Sequence, residues 1–135
     1  MQRAMGKDAK ATFGATPLQV AAGMGHADCI RKLLQLGAQP EAANSLGVTA
    51  AHISAACGHL PALQALLEGG TDIEAVDGDG NTVLHAAAAF GSLECLQVLV
   101  EAGARLSACG ILGCTPLHCA AGEGFAACIR ALLAA

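Results

Sequence analysis

A chain of 135 residues with 54% hydrophobic content, a net charge of −4 and 2% aromatic residues can bury one core, built mainly from Ala, Leu, Val, Ile and Cys. No stretch reaches the roughly 18 to 20 apolar residues that a bilayer span requires, and Met1 to Phe13 carries Arg3, Lys7, Asp8 and Lys10 with no apolar run behind them, so neither a membrane span nor a signal peptide is expected. From Glu41 to Gly103 there are eight acids (Glu41, Glu68, Asp72, Glu74, Asp77, Asp79, Glu94, Glu101) and no Lys or Arg, which sets nucleic acid aside as a partner, because that affinity rests on basic side chains neutralising phosphates.

One unit recurs along the chain: Gly14-x-Thr16, Gly47-x-Thr49, Gly80-x-Thr82 and Gly113-x-Thr115 are each 33 positions apart. In the first unit Thr16 is placed as a helix N-cap, Pro17 stands where a missing N–H costs nothing, and Gln19 occupies the position from which a polar side chain reaches back to the cap. Gly25 ends that helix, because a tight reversal asks for left-handed geometry. A second helix follows with Ile30, Leu33 and Leu34 on one face, and Gly37 closes it. The second unit repeats this order with Thr49, His52, Gly58, then Leu63, Leu66, Leu67 and Gly70; the third with Thr82, His85, Gly91, then Leu96, Leu99, Val100 and Gly103. The fourth has Thr115, Pro116, His118, Gly124, then Ile129, Leu132 and Leu133. The intervening segments 38–46, 71–79 and 104–112 have little helical pattern and read as projecting turns. Helices of roughly 8 to 10 residues do not persist alone in water, so the units must stack into a solenoid with one continuous interior.

This grammar resembles the ankyrin repeat family, whose Thr-Pro-Leu-His-x-Ala-Ala core stands intact as Thr115-Pro116-Leu117-His118-Cys119-Ala120-Ala121. The resemblance implies an all-α fold, an ankyrin-repeat solenoid of four stacked helix-turn-helix units with β-turn fingers, over residues 11–135 with a short extension at 1–10. The repeats are expected at about 11–43, 44–76, 77–109 and 110–135. It also implies a concave surface of fingers and first helices that binds other proteins without catalysis. The second unit departs from the pattern with Ala50-Ala51, the first with Gln19 in place of His. Of the finger Asp common in the family only Asp77 is present, with Ala11, Asn44 and Gly110 elsewhere, so the hydrogen-bonded finger is expected most firmly in the third unit. Glu41, Glu74 and Ser107 replace the finger Asn, which removes the target of any modification aimed at it. The fourth unit stops at Leu132-Leu133-Ala134-Ala135 without a polar cap, as in an excerpt of a longer protein or a face that meets another surface.

In such a stack, the finger residues and those before each helix-ending glycine are expected to be free for a ligand. Phe13, Met24, Ser45, Leu46, Val48, Cys57, Val76, Asp79, Asn81, Phe90, Ile111, Leu112, Cys114 and Glu123 are therefore the candidate protein-binding residues. Their apolar weight points to a partner with an apolar segment, and the acids at 68 to 79 to one that is also basic. The alternative is a structural unit that self-associates through uncapped terminal repeats, or the scaffold portion of a larger multidomain protein. No cofactor is expected. Cys109, Cys114, His118 and Cys119 are zinc-ligand types in a short span, but His118 and Cys119 belong to the helix motif that recurs as His85-Ala86. Asp77-Gly-Asp79-Gly-Asn81 begins like a calcium loop yet has Thr82 where that loop needs Gly and Ala88 where it needs Glu. No nucleophile motif is present, and His52, His85 and His118 are accounted for by the cap position, so an enzyme is not expected. The seven cysteines are odd in number, and Cys29, Cys95 and Cys128 follow the repeat and not a pairing scheme, so reduced, buried thiols in a cytoplasmic or nuclear protein are expected.

Overall fold

The computed structural model describes residues 16–110 and 112–135; the extension at 1–10, the first finger with Phe13, and Ile111 lie outside the described residues. Among the described residues there are eight helices and no strand: α1 (Pro17–Met24), α2 (Ala27–Gln35), α3 (Ala50–Cys57), α4 (Leu60–Glu68), α5 (Val83–Ala89), α6 (Leu93–Glu101), α7 (Pro116–Glu123) and α8 (Ala126–Ala134). Each odd-numbered helix pairs with the even-numbered one that follows. The odd set then stacks on itself in chain order, as does the even set.

Every odd helix starts on a reciprocal cap. The hydroxyls of Thr16, Thr49, Thr82 and Thr115 accept from the amides of Gln19, His52, His85 and His118, whose side chains accept in turn from the threonine amides. Gly25, Gly58 and Gly124 end three of these helices at φ of 74–76°, and Gly91 follows Phe90 at 69° in the third unit. At Gly25 and Gly91 a second demand is added. A methyl on Gly25 would sit 2.9 Å from the ring of His59, and one on Gly91 2.8 Å from the ring of Phe125, so the next unit rests directly on the glycine backbone.

Alanine predominates in the buried face of the odd layer, beside Leu18, Val83 and Leu84. The odd helices bury Ala21, Ala22, Ala50, Ala51, Ala55, Ala87, Ala88 and Ala120, and these short side chains let the backbones approach closely. The even helices supply bulk through Ile30, Leu63, Leu66, Leu96, Leu99 and Leu132, and both sets join one continuous core. Helices of seven to nine residues gain stability from this stacking, not from their own hydrogen bonds.

Two expectations are corrected. Only Cys95 and Cys128 are buried, whereas Cys29, Cys57 and Cys109 are exposed and Cys114 and Cys119 are half-covered. Cys29 holds the position of Ala62, Cys95 and Cys128, which the preceding unit covers, and among the described residues no preceding unit lies against it. The second finger also matches the third. Asn44 Oδ1 accepts from the amides of Leu46 and Val48 at 2.9 and 3.0 Å, just as Asp77 Oδ1 accepts from Asp79 and Asn81 at 2.9 and 3.0 Å. The turn needs an acceptor oxygen on a short side chain, and an amide supplies it as well as a carboxylate.

Candidate protein-binding surface

The fingers are held by the helices beneath them, in a register that advances by one unit each time. Gln19 Nε2 donates to the carbonyls of Ala42 and Val48 at 2.6 and 3.1 Å. His52 Nε2 lies 2.8 Å from the carbonyl of Asn81, and His85 Nε2 2.7 Å from that of Cys114. The ring protons are assigned by the cap: the Thr49 and Thr82 amides can only donate, so Nδ1 of each ring accepts and Nε2 carries the proton that the finger carbonyl receives. Burial pulls the His52 imidazole below its usual range, with the bond to Asn81 and the charges of Asp77 and Glu41 opposing it.

A second set of ties escapes any reading of residue type. Glu41 Oε2 accepts from the Thr71 hydroxyl at 3.0 Å and from the Asp72 amide, and Glu74 Oε2 accepts from the Arg105 amide at 2.9 Å. The Gly78 amide donates to the Leu46 carbonyl at 2.9 Å, joining the second finger to the third. Of the acids noted above, Glu41, Glu74 and Asp77 are thus engaged within the stack, and Glu68 faces Arg31 at 3.3 Å on the surface. Asp79, Glu94 and Glu101 stand exposed.

The candidate residues divide accordingly. Met24, Cys57 and Glu123 are the exposed last residues of α1, α3 and α7, and Phe90 follows α5 at the same place in its unit. Ser45, Leu46, Val76, Asp79 and Leu112 are exposed on the fingers. Val48, Asn81 and Cys114 are half-buried and tied by their own carbonyls to the helix below, so the middle residue of the second, third and fourth Gly-x-Thr has a structural duty that the sequence did not reveal. Phe13 and Ile111 lie outside the described residues. The cleft between the second and third fingers, lined by Leu46, Val48 and Asp79 among others, is open to solvent and holds about 630 Å³.

Among the described residues no cluster of three or more His, Cys, Asp or Glu side chains is arranged to hold a metal ion, and no helix is long and apolar enough to cross a membrane. His118 Nδ1 is taken by the Thr115 amide at 3.1 Å, and Asp77 Oδ1 by two turn amides, so the groups that suggested zinc and calcium serve a cap and a turn. The Cys95 thiol is pushed up to about 11 by burial, with Glu94 adding to it, and burial also raises Cys128. Titration of the native chain with a thiol reagent is therefore expected to modify Cys29, Cys57 and Cys109 promptly and to reach Cys95 and Cys128 only on addition of denaturant.

Helical hairpins stacked in register, with an open row of turns along one edge, define a repeat solenoid. The family model described as Ankyrin repeats (3 copies) matches residues 1–77 and 63–135, and the chain belongs to that family. Ankyrin repeats are generally protein–protein interaction modules and typically non-catalytic. No curated protein matches the chain.

Proposed function

We propose that the chain is a non-catalytic recognition module that binds an apolar, basic segment of a partner protein along its fingers and the ends of its odd helices. The observation that carries this reading is the exposure of large apolar side chains at equivalent places: Met24 and Phe90 at the helix ends are 63% and 65% exposed, and Leu46 and Leu112 on the fingers 55% and 86%. Soluble proteins seldom leave such side chains grouped in water without a use for them. Free thiols support a reducing compartment, cytoplasm or nucleus. The test is substitution of Leu46, Phe90 and Leu112 together by Ser. Proteins captured by the native chain are expected to be lost with the melting temperature unchanged; capture that persists, or a fall of several degrees, would count against a binding role for these residues.

A second reading, association between copies of the chain, draws on the fourth unit. His118 and Ala121 are exposed there, whereas their counterparts His85 and Ala88 are 1% and 0% exposed under the next unit. Molar mass measured across protein concentration separates the two readings, since recognition alone leaves it constant.

A further inference from the structure

Cysteines occur in all four units, but only in the fourth do two of them flank one helix start. Thr115 caps α7, so Cys114 stands just before the cap and Cys119 is the fourth residue of the helix. Side chains at these two places meet, and a pair there sets the angle at which the chain enters a helix. Val48 and Ile53 hold the two places in the second unit, Asn81 and Ala86 in the third. The bonds of 3.1 and 3.3 Å between Thr115 and His118 keep the fourth helix start in the same geometry. Cys119 packs against the core as Ile53 and Ala86 do. Both cysteines are half-covered, so solvent still reaches them. Burial pushes the Cys119 thiol up and the charge of Cys114 adds to it, which puts the two sulfurs within electrostatic reach of each other.

The finger that carries Cys114 also lacks a tie found in its neighbours. Asn44 and Asp77 accept from the amides of Val48 and Asn81, whereas Gly110 has no side chain to do this for Cys114. Among the described residues Cys114 is held through its carbonyl, which accepts from the Gly110 amide at 2.9 Å and faces His85 Nε2 at 2.7 Å. We propose that Cys114 and Cys119 are a reversible dithiol–disulfide pair which, oxidised by a low-molecular-weight disulfide, ties the fourth finger to α7. One cysteine thiolate attacks the external disulfide, forming a mixed disulfide and expelling one thiolate. The second cysteine thiolate then attacks the protein sulfur of that mixed disulfide, closing the Cys114–Cys119 bond and expelling the other. Two protein thiols are oxidised by two electrons, one external disulfide becomes two thiols, and the protons of the cysteines pass to the thiolates released. The second step is intramolecular and outruns attack by outside thiol. The tied finger presents Leu112 on the candidate surface, 86% exposed.

The whole chain is incubated with glutathione and glutathione disulfide at graded ratios, free thiols are alkylated, and fragmentation of the peptide spanning 106–130 assigns the bonds. Cys114 and Cys119 are expected to be joined and free of glutathione, while Cys29, Cys57 and Cys109, exposed and without such a partner position, carry it. Cys114→Ser is expected to leave glutathione on Cys119, and Cys119→Ser to leave it on Cys114. Glutathione retained on both cysteines of the native chain, both left as free thiols, or a bond from Cys109 to either would overturn the pair. Relative to Cys114→Ser treated alike, so that adducts elsewhere cancel, the oxidised native chain is expected to melt a few degrees higher and to return on addition of dithiothreitol. A Cys114–Cys119 bond that leaves the melting temperature unmoved would overturn the tie between finger and helix.

Discussion

Replacing His52 by Ala is expected to lower the free energy of unfolding by about 2–4 kcal/mol, and replacing it by Gln to cost well under half of that. The alanine variant leaves the Thr49 amide without its cap acceptor and the Asn81 carbonyl without its donor, and opens a void where a ring that is 3% exposed had been. Glutamine is already at work at this position one unit earlier. Gln19 Oε1 accepts from the Thr16 amide at 3.1 Å and its Nε2 donates to Val48, the same two bonds made by the two imidazole nitrogens. Urea denaturation of the three proteins at neutral pH checks the order.

The same pair carries a pH dependence. The His52 imidazole titrates below its ordinary value of 6.5 in the folded chain because burial disfavours the cation. Near pH 6.5 the unfolded chain therefore binds more protons than the folded one, and stability rises with pH there. This contribution is complete above the unfolded value, is lost as pH falls from 6.5 towards the folded value, and changes no further below it. Protonation would also place a hydrogen on Nδ1 facing the Thr49 amide, setting donor against donor. His52→Gln is thus expected to be less sensitive than the native chain to acidification through this window. An unchanged pH profile would mean that the imidazole is not the group responsible.

What could be read from residues alone was the part that repeats. The Gly-x-Thr period, the cap side chains three positions later and the paired Leu residues recur at fixed offsets, and each is required by a local backbone event, so four copies in register left little choice of architecture. Ties between units were not legible, because the equivalent positions 41, 74 and 107 hold Glu, Glu and Ser, and nothing in the residue type shows that a finger carboxylate will reach the amide of the next finger. Burial of Cys29 could not be inferred from Cys95 for a related reason. A position is covered by its neighbour in the stack and not by its own helix, and the described residues include no such neighbour for Cys29. The candidate surface was legible as positions, since the helix-end row and the finger tips follow from the period. Which of those residues carry structural bonds, as Asn81 and Cys114 do, emerged only once the histidines beneath them were seen to reach up to their carbonyls.

Gly47 is where fold and recognition meet, and Gly47→Ala is expected to destabilise the chain by about 3–4 kcal/mol, against about 1–2 kcal/mol for Gly113→Ala. The two glycines share a left-handed backbone, φ 77° and 73°, so both variants pay the same local strain. Their surroundings differ. A methyl on Gly47 would lie 2.7 Å from the Gly78 nitrogen and 3.1 Å from the Asp77 carbonyl carbon, backbone atoms that can yield only if the third finger moves, whereas among the described residues nothing lies within 4 Å of a methyl on Gly113. That movement would break the 2.9 Å bond from the Gly78 amide to the Leu46 carbonyl and shift Leu46 against Asp79 at the cleft they line. The difference between the two variants in urea denaturation therefore isolates the contact between neighbouring fingers from the strain within one. A partner that needs Leu46 and Asp79 in register is expected to bind Gly47→Ala more weakly even under conditions where the variant is fully folded. Equal stability of the two variants would show that the close contact of Gly47 with the third finger adds nothing to the strain within the turn.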